Sequence, residues 1–341
     1  MERTKKSREE IASLIISNLN EKPLSTQQLS EKIKSNWSTI NEVLEELKKE
    51  GKVREIISTG KISIYRLSDY PVFYGLPIQK KHRDTASFLF SQISKAWQTK
   101  YKSPPPATII QKIAVDVAKE YKLDIPILPF HYGLVLPIFA VEKQTEKMFV
   151  PPNAKEIISV INKVLPQHSE KAWKEELNQY RKYNMLFYLA KSKLELAFKS
   201  NNKRETESAI LQLSWEFPNN EINRSIFGLF ERFINCGIIL LNWKNYKSDV
   251  SELKELFEKI WDLITSNMFF NEAKRYILKE DLQLFEIIQV SVINLKISSV
   301  EEGLSEIEPL ISSINPEEIE MPKSKYSKII DDILLEGISS E

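Results

Sequence analysis

The residues able to do chemistry are few. In 341 residues there are three histidines, His82, His131 and His168, and one cysteine, Cys236. The histidines lie far apart, with no His-x-x-x-His, Glu-x-x-His or cysteine pair beside them, so their spacing offers no zinc or di-iron ligand set. No Gly-x-x-x-x-Gly-Lys-Ser/Thr or Gly-x-Gly-x-x-Gly loop occurs to cradle phosphate, and no Gly-x-Ser-x-Gly elbow presents a nucleophile. Acidic pairs such as Glu317-Glu318 and Asp331-Asp332 have no catalytic partner in sight. The expectation is a protein that is not an enzyme and holds no metal or cofactor. His131 stands between Pro129 and Pro137 beside Phe130 and Tyr132, which suits a ligand-pocket or pH-sensing residue or, more simply, a hydrogen-bonded core histidine. His168 follows Pro166 and precedes a helix start at Ser169, as a capping neighbour would. Trp173, Tyr180, Tyr183, Phe187 and Tyr188 recur at near-helical spacing, which favours core over a pocket lining.

Charge is informative by its distribution. The total is +1, but residues 1–83 carry 16 Lys/Arg against 11 Asp/Glu, and residues 301–341 carry 11 acids against three bases. A basic head and an acidic tail suit an N-terminal nucleic-acid face as well as an ordinary solvated surface. Within the head, Lys80, Lys81 and Arg83 open a stretch to Lys102 with six Lys/Arg and one acid, Asp84. Such density can track phosphates or form the polar face of a linking helix.

Hydrophobic residues at 42% and charged residues at 28% describe an ordinary globular chain, long enough for two or more domains. Only eight glycines are present, against the roughly 7% of average usage, which argues against a glycine-rich β architecture. Lone Cys236, inside the apolar run Phe233–Leu241, reads as a small buried hydrophobe and allows no internal disulfide. Met1–Glu10 is charged and leads into no long apolar region, and no apolar run approaches the ~20 residues of a membrane span. A cytoplasmic protein with no membrane partner is expected.

The elements that must position these groups begin at Ser7. Ile11, Leu14, Ile15 and Leu19 form one face of a helix over Arg8–Asn20, which Glu21-Lys22-Pro23 ends. Ser25 or Thr26 caps a short second helix carrying Leu29 and Ile33. After Ser35-Asn36, a third helix over Trp37–Glu50 puts Ile40, Val43, Leu44 and Leu47 inward, and Gly51 sits where a left-handed residue is wanted. Val53–Ile57 and Lys61–Leu67 are strands joined by Ser58-Thr59-Gly60.

This order, and the stretch "STQQLSEKIKSNWSTINEVLEELKKEGKVREI", resembles the winged helix-turn-helix domain of archaeal and bacterial transcription regulators. The resemblance covers residues 7–67, about one fifth of the chain. It implies a third helix in the major groove and a hairpin against the backbone or minor groove of double-stranded DNA. Outward first-turn residues are then Trp37, Ser38, Asn41 and Glu42. Asn41 is the candidate for reading adenine, because an amide pairs bidentately with that base edge. Ser38 and Thr39 contact phosphate or cap the helix, Lys61 lies near the wing tip, and Arg54 and Arg66 flank phosphates from the strands. Regulators of this type commonly read two half-sites, which implies a homodimer. Glu42, Glu45, Glu46 and Glu50 oppose the reading, since carboxylates facing a duplex repel it. The same fold also serves for protein contact, so a protein-interaction subunit that does not touch DNA is the competing reading.

Beyond the hairpin, Asp84–Lys100 and Ala107–Tyr121 have helical apolar faces, and Leu123–Val141 is an almost wholly apolar stretch broken by prolines, suited to core or interface. From Asn153 on, helices are expected at Ala154–Leu165, Ser169–Ser200, Lys203–Trp215, Ile222–Asn242, Val250–Ser266 (continuing towards Leu278), Leu282–Ser298, Leu304–Ile314 and Lys323–Leu335. The expected protein is mainly α: an N-terminal winged helix-turn-helix domain at 1–68, a linking basic helix and proline-rich apolar segment at 69–152, and an all-helical domain at 153–341. The last would serve dimerisation, a protein partner or a small effector.

Overall fold

The computed structural model of the chain describes residues 6–58, 62–139, 149–218, 224–244 and 251–319. The protein is mainly helical, with twelve α-helices and five short strands among these residues. The expected helix at Lys323–Leu335 and the hairpin tip with Lys61 lie outside them.

The N-terminal elements are locally specified. Helix α1 (Arg8–Glu21) starts at a capping box in which Ser7 Oγ accepts from the Glu10 N–H and Glu10 returns the bond to the Ser7 N–H. Helix α2 (Thr26–Ile33) starts the same way, at Ser25 with Gln28. Helix α3 (Trp37–Lys49) is capped by Asn36, whose side-chain oxygen accepts from the Ser38 N–H. Gly51 after α3 takes φ +71°, the left-handed conformation a glycine adopts without steric cost. Strand β1 (Leu24–Ser25), which the apolar pattern does not announce, pairs with β3 (Ser63–Leu67), and β3 pairs with β2 (Val53–Ser58), all antiparallel in the order β1-β3-β2. Two residues are too short to show a periodicity; Leu24 and Ser25 become a strand only because β3 passes beside them. Ile11, Ile15, Leu19, Leu29, Ile33, Ile40, Val43, Leu44 and Leu47 meet Leu24, Val53 and Tyr65 in one small core. Each such side chain contributes roughly 1.5–3 kcal/mol of transfer free energy.

A second, larger core gathers around helices α4 (Lys80–Tyr101) and α5 (Ala107–Glu120). The proline-rich stretch is a small hairpin, β4 (Leu128–Phe130) with β5 (Gly133–Val135), its apolar residues buried against α5. Helices α6 (Ala154–Val164) and α7 (Ala172–Lys182) complete this layer. The chain divides into two compact units, 1–184 with 265–294, and 185–264 with the remainder from 295. The apolar pattern alone places divisions instead after 68 and 152. In the first unit Phe269, Phe270 and Phe285 join the same large core as Phe73, Leu89 and Ile113.

The second unit holds α8 (Leu186–Ser200), α9 (Lys203–Trp215), α10 (Arg224–Asn242) and parts of α11 (Ser251–Ala273) and α12 (Leu282–Ser312). Phe217 stacks on Phe230 at 4.5 Å between centroids, and Phe187 packs on Trp261 at 5.1 Å. Cys236 is buried here, and burial pushes its thiol up to about 11. Two helix expectations are corrected. The run Ser169–Ser200 is two helices, because Asn184 adopts a left-handed φ of +52° between them. Leu282–Ser298 and Leu304–Ile314 are one helix, because Gly303 lies against Leu256 and Lys259 of α11, so packing carries α12 through the glycine and past Pro309.

Candidate nucleic-acid interface

Helix α3 sorts its side chains by period. Ile40, Val43, Leu44 and Leu47 are buried, which leaves Trp37, Ser38, Asn41 and Glu42 on the outer side of the helix start. Trp37 is 56% exposed, and Ser38 is exposed while Thr39 and Asn41 are half-buried. Because Asn36 supplies the cap, the Ser38 hydroxyl is not needed for it and instead donates to Glu42 Oε1 at 3.4 Å.

The carboxylates that count against a nucleic-acid face are paired within the module. Arg8, the first residue of α1, bridges Glu42 and Glu46 with its two guanidinium nitrogens, Nη1 lying 2.9 Å from Glu46. Lys48 pairs with Glu55 at 2.7 Å and stands 3.6 Å from Glu45. Burial works upward on the Glu55 carboxyl, but hydrogen bonds from Lys48 and Ser63 outweigh it and hold the group below the ordinary carboxylate range. These pairs are exposed or nearly so and add little stability. Their effect is on the field: Arg8 and Lys48 offset part of the acidic charge of α3. Arg8 has no place in any apolar period, so only the packing of α1 on α3 reveals it.

The remaining cations are split. Arg54 on β2 is exposed. Arg66 on β3 is half-buried, and its Nη1 donates to the carbonyls of Leu67 and Tyr70 at 3.4 and 3.3 Å. Lys80 is exposed, while Lys81 is exposed but paired with Asp124 at 2.9 Å. Arg83 is buried: it donates to the carbonyls of Asn20 and Glu21 at 2.9 and 2.8 Å and lies over the Tyr70 ring at 5.2 Å. It thus caps the C-terminus of α1, where unpaired carbonyls and the helix dipole favour a cation. Half-buried Lys22 forms a further ion pair with buried Asp281. The basic run, which the sequence left open as a phosphate-tracking group or the polar face of a linking helix, is therefore divided between surface and scaffold.

The second polar constellation was not assembled by sequence reasoning. The His168 side chain is buried, with Nδ1 2.6 Å from Glu175 Oε2 and Nε2 3.5 Å from Asp116 Oδ2. Glu175 also accepts from the Ser169 N–H at 2.6 Å, and Asp116 accepts from Lys182 and from the Tyr183 hydroxyl, each at 2.5 Å. Burial raises the Asp116 carboxyl, yet the bonds from His168, Lys182 and Tyr183 win and hold it low. Lys112, buried on α5, donates to the Tyr132 carbonyl and to Gln179 Oε1 at 2.8 Å. Gly133 takes φ +95°, and a Cβ there would come within 2.4 Å of Gln179 Oε1. Lys112 and Asp116 lie one turn apart on α5, while His168 and Glu175 come from the turn before α7 and from α7 itself, so no single motif links the two pairs. His131 is half-buried and faces the Thr265 hydroxyl at 3.4 Å, a core role. Tyr180, Phe187 and Tyr188 are buried as core, whereas Trp173 is 58% exposed.

Among the described residues no group of three or more His, Cys, Asp or Glu is placed to hold a metal ion, and no helix is long and apolar enough to cross a membrane. No family model matches the chain, and neither a curated protein nor a solved structure matches it.

Proposed function

We propose that the protein is a DNA-binding transcriptional regulator of the winged helix-turn-helix type. The observation that carries this reading is the first turn of α3. It offers an exposed indole, a hydroxyl and an amide at Trp37, Ser38 and Asn41, while the acids of the same helix are occupied by Arg8 and Lys48. An amide with a neighbouring hydroxyl and an apolar ring is a set that reads base edges: adenine by Asn41, a thymine methyl by Trp37. Arg54, Lys80 and the wing residue Lys61 supply phosphate contacts, which position without specifying. Arg83 and Arg66 act behind the face, holding α1 and the strand end. Thr39, half-buried, supports the turn. The helical remainder serves dimerisation, partner binding or effector sensing, with a homodimer suited to two half-sites.

A protein-interaction role for the same module is favoured by one observation. Trp37 is as exposed as an aromatic anchor of a protein interface would be, and its helix carries more acids than bases. Gel-shift titration of the full chain on genomic and random duplex DNA separates the two. A DNA binder loses affinity linearly in log salt, and Asn41→Ala and Trp37→Ala weaken it while leaving the denaturation midpoint in place. No binding by the folded chain at low salt sinks the regulator reading and favours the protein-interaction one.

A further inference from the structure

A cleft of about 270 Å³ opens where α5, the Gln167–His168 turn and α7 meet, and every residue lining it is polar or charged. That volume lies below the range for drug-sized ligands and suits a molecule of a few heavy atoms. Its charges are arranged by depth. The carboxylates of Asp116 and Glu175 are buried, at 10% and 3% side-chain exposure, beside the buried Lys112 ammonium, which is held by the Tyr132 carbonyl and Gln179, whereas Arg181 and Lys182 stand exposed at the mouth. Each carboxylate has about four lone-pair sites. Asp116 takes donors from Lys182 and Tyr183, Glu175 takes them from the Ser169 N–H and from Asn178 at 3.4 Å, and His168 lies between the two, Nε2 3.5 Å from Asp116 and Nδ1 2.6 Å from Glu175. At least one acceptor site on each carboxylate remains for an entering donor. The Arg181 side chain, by contrast, makes no hydrogen bond or ion pair among the described residues and presents a fork matched to a carboxylate.

We propose that this cleft binds a small zwitterion of the α-amino acid class, its ammonium donating to Asp116 and Glu175 and its carboxylate held by Arg181. A plain anion gains the arginine but meets two buried carboxylates. A plain amine gains the carboxylates but leaves the arginine unsatisfied. Only a ligand carrying both signs a few bonds apart answers both ends. The inference is independent of the DNA-binding reading, since it concerns α5 and α7 and is tested without DNA.

The test is isothermal titration of the full-length protein with each standard amino acid at millimolar concentration. Matched N-acetyl amino acids, amino-acid amides, acetate and inorganic phosphate are titrated beside them. The expected result is saturable binding of one or a few free amino acids, with roughly tenfold or greater loss on acetylation of the amine, on amidation of the carboxylate, and in Arg181→Ala. The Arg181 side chain is exposed and bonds nothing among the described residues, so that variant is expected to keep the wild-type melting curve. Equal binding of acetate or phosphate overturns the proposal in favour of a simple anion site. Absence of binding by any amino acid to folded protein overturns it outright.

Discussion

The first turn of α3 and the cleft beside α7 are both clusters of charged and amide side chains, yet they differ in what holds them. At α3 the ion pairs are exposed, Arg8 at 61% and Glu42 at 52% of side-chain surface. Water screens such pairs, and removing one partner leaves the other solvated. At the cleft Glu175 and His168 are almost sealed, at 3% and 6%. Removal of one partner there strands a desolvated group, so the whole network must be satisfied or it becomes costly. One cluster is thus free to face a partner and the other is committed to the scaffold, except for the lone pairs and the arginine at its mouth.

The comparison breaks if the two clusters respond alike to deletion. Glu175→Ala is expected to cost about 3–5 kcal/mol, because His168 and the Ser169 N–H lose their acceptor inside the fold. Chemical denaturation measures it, and a loss below about 1 kcal/mol, the exposed-pair range, would remove the distinction.

Acid sharpens the same contrast. Asp116 is held low in the native state, so the stability it contributes is present above its unfolded value, about 3.9, and is lost as pH falls through the lower native one. Denaturation midpoints across that range should fall more steeply for the wild type than for Asp116→Asn. Coincident slopes would mean that the carboxylate is not coupled to folding.

Arg8→Ala should have the smallest effect on stability, within about 1 kcal/mol. If the DNA-binding reading holds, it should nonetheless weaken duplex binding severalfold by uncovering Glu42 and Glu46, and Arg8→Lys should restore part of it. Unchanged affinity in a gel shift would show that this field does not reach the ligand.

Much of the architecture was legible along the chain because its causes are local. Ser25 as a cap, the 3.6-residue apolar periods, and Gly51 after α3 act within a few residues of themselves, whereas the cap of α3 is Asn36 and not the Ser38 or Thr39 that the sequence suggested. The pattern erred where a long-range contact overrode such a signal. Gly303 should end a helix but is packed on α11, and Leu24–Ser25 carries no strand signal yet pairs with β3.

What the amino-acid order determined by itself is therefore most of the helices, the mainly α class, the burial of the three-helix core and the outward set on α3. Tertiary structure decided which charges are available. Arg83 and Arg54 are the same residue type, but one is buried capping α1 and the other is exposed on β2. Only packing brings Arg8 to Glu42 and Glu46, and only packing gathers Asp116, His168 and Glu175. The physical reason is range. Caps and apolar periods are energies of neighbouring residues, whereas the state of a charge depends on every dipole, partner and water around it, and those are set by chain segments far away in sequence.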